Sequence, residues 1–396
     1  MIMSQKILLA ITGGIAAYKS CELVRLLKKQ GHDVTVAMSQ SATEFIAPQT
    51  FQALSGNPVL TAQGGNGNGM AHINATRSAD IMLIAPATAN TLAKIAHGIA
   101  DNIITEMAAA RNIPLVVAPA MNVEMWHNPA NQRNIEQLQL DGVHILYPAH
   151  GEQACGEIGV GRIMEATQIV ELLPDILSTK LLLNKKILIT VGATYEAIDP
   201  VRGITNISSG QMGVALARAC RRAGAQVFLI YGKLQTPLPL GMTHTEEAVS
   251  ALAMYEAVFR LINQVDAFIS VAAVADYRVA NSAAHKLKKD GSGKPPIIEL
   301  TENPDILQSV AQLPNAPFCV GFAAESENVL NYARAKRAKK GVPLLVANDV
   351  SLSMGKSTNQ VILLDDFAET TLPEMDKDRV ADAIVARMSH LRFQAA

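Results

Sequence analysis

Charge and aromatic rings are scarce in this sequence: 17% of its 396 residues are charged and 4% are Phe, Trp or Tyr. The basic and acidic residues nearly cancel, leaving a formal net charge of −1. A surface that tracks nucleic-acid phosphates needs clustered Lys and Arg, so nucleic acid is not expected as a partner. The one compact basic group, Lys336-Arg337-Ala338-Lys339-Lys340, suits either a solvated helix face or a grip on one small phosphorylated ligand. Four cysteines without paired spacing exclude a zinc cluster and a disulfide framework, which points to free thiols and a cytoplasmic location. Long apolar runs are missing too. The first, Ile7 to Ile11, stops at Gly13-Gly14, short of a secretory segment or a membrane span, so no membrane association is expected.

What is abundant is apolar material in short pieces. Hydrophobic residues make up 49% of the chain, enough for large buried sheets and too much for a disordered chain. The length suits two domains, placed here at 1–183 and 184–396. Runs such as Ile7-Leu8-Leu9-Ala10-Ile11 and Ile187-Leu188-Ile189 are continuous rather than alternating, as in strands buried on both faces. Helical stretches follow them, over Ile15–Gln30 before Gly31 and over Ser209–Ala223 before Gly224. The expected fold class is α/β: two Rossmann-like domains, the first flavodoxin-like, each with a mainly parallel sheet covered by helices. Each half reads as opening on a strand, a glycine or polar turn, and a helix. The run Gly64-Gly65-Asn66-Gly67-Asn68-Gly69 reads as a flexible connector or a lid.

Several short segments could carry chemistry. Thr12-Gly13-Gly14-Ile15 lets a phosphate approach the N–H groups at a helix start. It is not G-x-G-x-x-G, which favours a mononucleotide over NAD. Met70-Ala71-His72 offers a histidine that is either structural or a base, and Pro119-Ala120-Met121-Asn122 ends a strong strand where α/β sheets place ligands. Cys21, Cys220 and Cys319 fall in apolar elements and read as packing residues, whereas Cys155 sits in the glycine-rich stretch 153–161 and could donate a proton. In the second half Arg202, Asn206 and Ser208-Ser209-Gly210 suit a phosphate or carboxylate, with either serine able to cap the helix. Asp276 at a strand end, followed by His285-Lys286-Leu287-Lys288-Lys289, suits a nucleotide triphosphate with magnesium, or a surface ion pair.

Taken in order, the segments are far more specific. Gly-Gly-Ile-Ala-Ala-Tyr-Lys at 13–19, Ala-Pro-Ala-Thr-Ala-Asn at 85–90, Pro-Ala-Met-Asn at 119–122 and Ala-Cys-Gly-Glu at 154–157 are followed by Asp-Pro-Val-Arg at 199–202, Asn206, Ser-Ser-Gly at 208–210, Ala-Ala-Val-Ala-Asp-Tyr-Arg at 272–278 and Gly-Phe-Ala-Ala-Glu at 321–325. This series resembles the bifunctional phosphopantothenoylcysteine decarboxylases/phosphopantothenate–cysteine ligases of bacterial coenzyme A biosynthesis, over almost the whole chain. The resemblance implies an FMN-dependent decarboxylase in the first half. Gly14 and Thr88 would hold FMN, His72 would be the base, Asn122 would bind the substrate carboxylate, and Cys155 would protonate the enethiolate.

The same resemblance implies a CTP-dependent ligase in the second half, joining 4′-phosphopantothenate to L-cysteine through an acyl-cytidylate. Asn206 would stabilise that intermediate, and Arg202 belongs to the same motif. Ala273, Asp276, Lys286, Asn303, Pro304, Asp305, Ile306, Phe322, Lys336 and Lys340 match nucleotide-binding positions, and Mg2+ would be held mainly through the CTP phosphates. Homo-oligomers are implied as well, a dodecamer built from flavin-domain trimers and ligase-domain dimers. Two positions depart from the pattern: Gly203 stands where relatives often carry an aromatic residue, and Gln211 where a lysine is common. A decarboxylase acting on peptide C-termini would have no need of the second half. A non-catalytic flavin-binding regulator would have no need of His72 and Cys155.

Overall fold

The computed structural model describes residues 4–61, 70–288, 296–349 and 355–393. The Gly64–Gly69 run and Lys289 lie outside the described residues. The chain divides into two compact units, Met1–Leu177 and Ser178–Ala396.

In the first unit five strands, β1 (Lys6–Ile11), β2 (Asp33–Met38), β3 (Ile81–Ala87), β4 (Leu115–Pro119) and β5 (His144–Ile145), form a parallel sheet in the order β2-β1-β3-β4-β5. Alternation across β1 feeds two cores. Ile7, Leu9 and Ile11 pack on one face with Leu23, Val24 and Leu27, while Leu8 and Ala10 pack on the other with Leu92 and Met107. Burying each such side chain contributes about 1.5–3 kcal/mol, so helices must cover both faces. The helix Lys19–Lys29 covers one of them through its apolar stripe, and Gly31 at φ 86° ends it in the left-handed conformation that glycine adopts without strain. The first turn expected as part of this helix, Ile15–Tyr18, is 3-10 rather than α. From β1 the chain passes to β2 on one side and later to β3 on the other. That reversal opens a crevice between the C-terminal ends of β1 and β3, where sheets of this kind take ligands.

Outside the sheet, β6 (Ala149–Glu152) and β7 (Ile158–Arg162) pair as an antiparallel hairpin. The glycine-rich stretch around Cys155 forms the tip of this hairpin.

The second unit is built on an eight-stranded sheet. Its strands are β8 (Lys186–Val191), β11 (Gln226–Tyr231), β12 (His244–Glu247), β13 (Ala267–Ser270), β16 (Phe318–Glu325), β17 (Leu344–Asp349), β19 (Val361–Leu364) and β20 (Glu369–Thr371). Smaller antiparallel pairs lie between them: β9 (Tyr195–Ala197) with β10 (Gly203–Thr205), β14 (Tyr277–Val279) with β15 (Leu300–Glu302), and β18 (Thr358–Asn359) with β21 (Met375–Asp376). The sheet order is β12-β11-β8-β13-β16-β17-β19-β20, parallel through β17 and antiparallel at its last two strands. Ile187, Ile189 and Val191 face the core under the helices Gln211–Arg222 and Lys377–Arg392, and Leu188 faces the opposite core.

Here the expected strand-turn-helix opening is interrupted. Between β8 and the helix Gln211–Arg222 the chain makes the β9-β10 hairpin. The reversal of strand order again falls beside the first strand, between β8 and β13. Among the described residues no helix is long and apolar enough to cross a membrane.

Candidate functional site

The crevice beside β1 is assembled from strand ends. Thr12 Oγ1 donates to the Pro86 carbonyl at 2.7 Å and accepts from Thr88 N at 3.1 Å, which ties the turn after β1 to the one after β3. Thr88 caps the helix Ala89–Ala96, accepting from Thr91 N at 3.4 Å. A Cβ on Gly14 would lie 3.8 Å from Thr88 Cγ2, so the two residues expected to hold a flavin phosphate are neighbours. A Cβ on Gly13 would fall 2.3 Å from Ser41 Oγ, in a space open only to glycine. Ser39, the cap of the short helix Gln40–Thr43 after β2, lies 3.1 Å from Ser41 through their hydroxyls. The side chains of Ser39, Ser41 and Thr88 therefore gather around Gly13-Gly14, a set of hydroxyls that fits a phosphate and carries no opposing carboxylate among these residues.

The second cluster joins Asn122 to Cys155. Asn122 caps the helix Val123–His127 through Oδ1, which accepts from Met125 N at 2.9 Å, and its Nδ2 donates to Glu157 Oε2. The Cys155 thiol lies 3.4 Å from the same Glu157 oxygen and 3.9 Å from Gln153 Oε1. The hairpin is clamped on the Asn122 turn: Met121 N donates to the Gly161 carbonyl at 2.9 Å, and Val123 N to Gln153 Oε1 at 3.0 Å. A Cβ on Gly161 would fall 2.3 Å from the Met121 carbonyl oxygen, so the close approach needs glycine. His72 opens a helix, Ala71–Ser78, with Nδ1 at 4.0 Å from Glu106 Oε2; it is not bonded into the Asn122–Cys155 cluster.

The other cysteines behave as packing residues. Burial pushes the Cys220 and Cys319 thiols up to about 12, and raises that of Cys21 as well. Cys155 is the exposed one.

In the second unit Asn206 donates from Nδ2 to the Ala273 carbonyl at 3.0 Å, at the crevice between β8 and β13. Ala273 N in turn donates to the Gly192 carbonyl at 2.8 Å. The β14-β15 pair brings together two segments expected to bind nucleotide: Asn303 N donates to the Asp276 carbonyl at 2.8 Å and Asn303 Nδ2 to that of Ala275 at 2.9 Å. Asp305 caps the helix Ile306–Ala311, follows Pro304, and forms an ion pair with Lys340. Burial draws the Lys340 ammonium below the usual lysine range, with Asp276 opposing. Lys336 stands one turn earlier on the same helix, Val329–Lys340, and Phe322 lies on β16.

Arg202 is engaged by the protein itself. Its Nε donates to Asp199 Oδ2 at 3.0 Å and its Nη2 to the Leu287 carbonyl at 3.0 Å. Leu287 N donates to Asp199 at 3.1 Å, which sets Lys286 next to this loop. The Arg202 guanidinium, aided by the N–H groups of Val201, Leu287 and Arg202, holds the Asp199 carboxyl well below the usual carboxylate range despite its burial.

The serines expected to cap the helix Gln211–Arg222 do not do so. Its N-cap is Gly210, at φ 76°, and Ser208 and Ser209 accept only from the N–H groups two residues on. Both departures from the expected pattern are filled from elsewhere. A Cβ on Gly203 would fall 2.3 Å from Cζ of the Tyr195 ring, which covers it across the hairpin. Gln211 Oε1 accepts from Lys377 Nζ at 3.1 Å, so an ammonium stands there after all. Gln153, Ser39, Ser41 and Lys377 escape a reading of the sequence, and Glu157 enters it only as the end of Ala-Cys-Gly-Glu at 154–157, with no role of its own. Only Ser39 carried a signal, a cap residue directly after an apolar strand.

Residues 182–391 match the family described as DNA/pantothenate metabolism flavoprotein C-terminal domain, and residues 1–178 the family described as flavoprotein. Over 396 residues the chain is 44% identical to the coenzyme A biosynthesis bifunctional protein CoaBC of Vibrio vulnificus (strain YJ016), covering 98% of each chain. It is 40% identical over 403 residues to the protein of the same name from Bacillus subtilis (strain 168), covering 100% of this chain and 99% of the relative. A crystal structure of the C-terminal domain of such a protein is 36% identical, covers 54% of this chain and 98% of its own, and superposes with a TM-score of 0.46. With both halves matched in order and nearly full-length identity, the chain belongs to the family of bifunctional coenzyme A biosynthesis proteins, decarboxylase and ligase in one polypeptide.

Proposed function

We propose that the two activities of this coenzyme A biosynthesis enzyme are divided between its units. The unit Ser178–Ala396 joins 4′-phosphopantothenate to L-cysteine at the expense of CTP, and the unit Met1–Leu177 decarboxylates the resulting phosphopantothenoylcysteine to 4′-phosphopantetheine. The observation that supports the first-unit assignment is that the Asn122 amide and the Cys155 thiol both meet Glu157 Oε2, which sets the expected carboxylate binder beside the expected proton donor.

In this reading Gly14 and Thr88, with Ser39 and Ser41, hold the phosphate of FMN. The chemistry supplied by bound FMN is a two-electron oxidation of the substrate's thiol-bearing carbon, and the return of both electrons once carbon dioxide has left. His72 takes the substrate proton. Asn122 Nδ2 holds the carboxylate that departs as carbon dioxide, leaving its electron pair on the substrate as an enethiolate. Cys155 then gives its thiol proton to that enethiolate.

In the second unit the phosphopantothenate carboxylate attacks the α-phosphorus of CTP and pyrophosphate leaves. The cysteine amine then attacks the acyl carbon, loses a proton and expels CMP. Asn206 stabilises the acyl-cytidylate from the crevice beside β8, and Arg202 orients the loop next to it. Ala273, Asp276, Lys286, Asn303 to Ile306, Phe322, Lys336 and Lys340 surround the nucleotide. Mg2+ would be held mainly through the CTP phosphates and would screen the charge of the leaving pyrophosphate. The protein works as a cytoplasmic homo-oligomer, a dodecamer.

The test supplies phosphopantothenate, cysteine, CTP and Mg2+ to the FMN-loaded protein and follows products by mass spectrometry. Phosphopantetheine with CMP is the expected result; phosphopantothenoylcysteine that accumulates without further conversion would refute the first-unit assignment.

A further inference from the structure

Glu157 occupies a position that the proposed chemistry leaves unexplained. One oxygen, Oε2, accepts from Asn122 Nδ2 and lies 3.4 Å from the Cys155 thiol. Asn122 has no freedom to answer with its other end, because Oδ1 is committed to Met125 N at 2.9 Å. The amide is therefore oriented by its capping role, and Nδ2 is the one group it can offer an incoming carboxylate. Glu157 already presents a carboxylate to it.

Glu157 also belongs to the tip that carries Cys155. Gln153 N donates to the Glu157 carbonyl at 2.8 Å and Gly156 N to the Gln153 carbonyl at 2.9 Å, with Gly156 at φ 85°. The Glu157 side chain and the Cys155 thiol are thus carried by one bonded turn.

We propose that Glu157 is a positioning residue that stands in for the substrate's carboxylate on Asn122 and exchanges with it during turnover. The proposal rests on the reading of Asn122 as the carboxylate-binding residue. Two carboxylates cannot share one amide N–H pair without repulsion, so an arriving substrate displaces Glu157 and loosens the hairpin tip. When carbon dioxide has left, Asn122 is vacant again. Glu157 returns to it and brings the Cys155 thiol back beside the enethiolate, after decarboxylation and not before.

The experiment compares two competitive inhibitors of the FMN-loaded full chain: phosphopantothenoylserine, which bears the carboxylate but no thiol, and phosphopantetheine, which lacks the carboxylate. In Glu157→Ala the inhibition constant of phosphopantothenoylserine falls about three- to tenfold, the effect of removing one charge-assisted competitor near the surface, while that of phosphopantetheine stays within about twofold. Glu157→Gln, which keeps the side chain's shape and loses its charge, moves the ratio of the two constants the same way by a smaller factor. A purely structural role for Glu157 would move both constants together or neither, and either result overturns the proposal. Asn122→Ala separates the two readings. It weakens phosphopantothenoylserine about tenfold if Asn122 binds the carboxylate. If that variant binds both inhibitors as the parent does, the assignment of Asn122 fails and the exchange falls with it.

Discussion

The two units solve the same problem with different turns. Each opens a crevice where the order of parallel strands reverses beside the first strand, between β1 and β3 in one and between β8 and β13 in the other. In the first, the chain goes straight from β1 through Gly13-Gly14 into a helix, and Gly14 is extended at φ −177°. In the second, a hairpin is inserted before the helix, and the helix begins from Gly210 in the left-handed conformation at φ 76°. The inserted hairpin carries Arg202, bonded to Asp199, and leads to Asn206, which reaches the Ala273 carbonyl beside β8. A crevice of one type can be enlarged by lengthening the connection that leaves its central strand, without altering the sheet.

The comparison breaks first on activity. Cys155→Ser is expected to slow phosphopantetheine formation by roughly 10²–10⁴-fold, the usual contribution of a positioned acid, with CTP-dependent ligation unchanged. Stopped-flow recovery of oxidised flavin absorbance and pyrophosphate release measure the two steps separately. Asn206→Asp should do the converse, lowering amide formation by about 10²–10³-fold while supplied phosphopantothenoylcysteine is decarboxylated at the parent rate. A variant that damaged both activities equally would end the division of labour.

A smaller effect sharpens the contrast between the turns. Gly210→Ala must accept a side chain at positive φ with its Cβ 2.2 Å from Leu234 Cδ2. We expect a loss of about 1–3 kcal/mol from the second unit, seen in urea unfolding as an earlier transition for that unit alone.

The smallest concerns pH. Because the Asp199 carboxyl is depressed in the folded chain by Arg202, its stabilisation is complete above the unfolded value near pH ~4 and is lost as pH falls through the folded one. Asp199→Asn should therefore lower stability at neutral pH and flatten the loss below about pH 4. An acid titration whose slope is the same in both proteins would show that this loop carries no such linkage.

Much of the fold was legible because buried parallel strands write themselves as continuous apolar runs. β1 and β8 begin within a residue of the apolar runs that open at Ile7 and Ile187. The small antiparallel pairs were not. β9 and β10 have three residues each, and their side chains face solvent as often as protein, so no period of two develops. The hairpin around Cys155 was hidden by Gly156, Gly159 and Gly161, which read as loop. Gly159 and Gly161 instead permit contact with the Asn122 turn, where side chains at these positions would meet Val123 and Met121. The helix of His72 went unseen because its sequence, Ala71–Ser78, has only a weak apolar stripe.

Within the sites, residues at strand ends stood out because apolar runs stop there. Glu157 and Lys377 did not, since their partners lie 35 and 166 positions away. No local pattern encodes a contact that only the assembled unit creates.

The ring of Tyr195 over Gly203 has a consequence for anyone who would recombine this chain with a relative bearing an aromatic residue at 203. The two positions are one filled volume shared between two strands of a hairpin. A graft that imports the aromatic alone puts two rings in one place, and a graft that removes Tyr195 alone leaves a bare glycine facing a gap. Residues 195 to 203 are therefore a single hereditary block, to be exchanged whole or left alone.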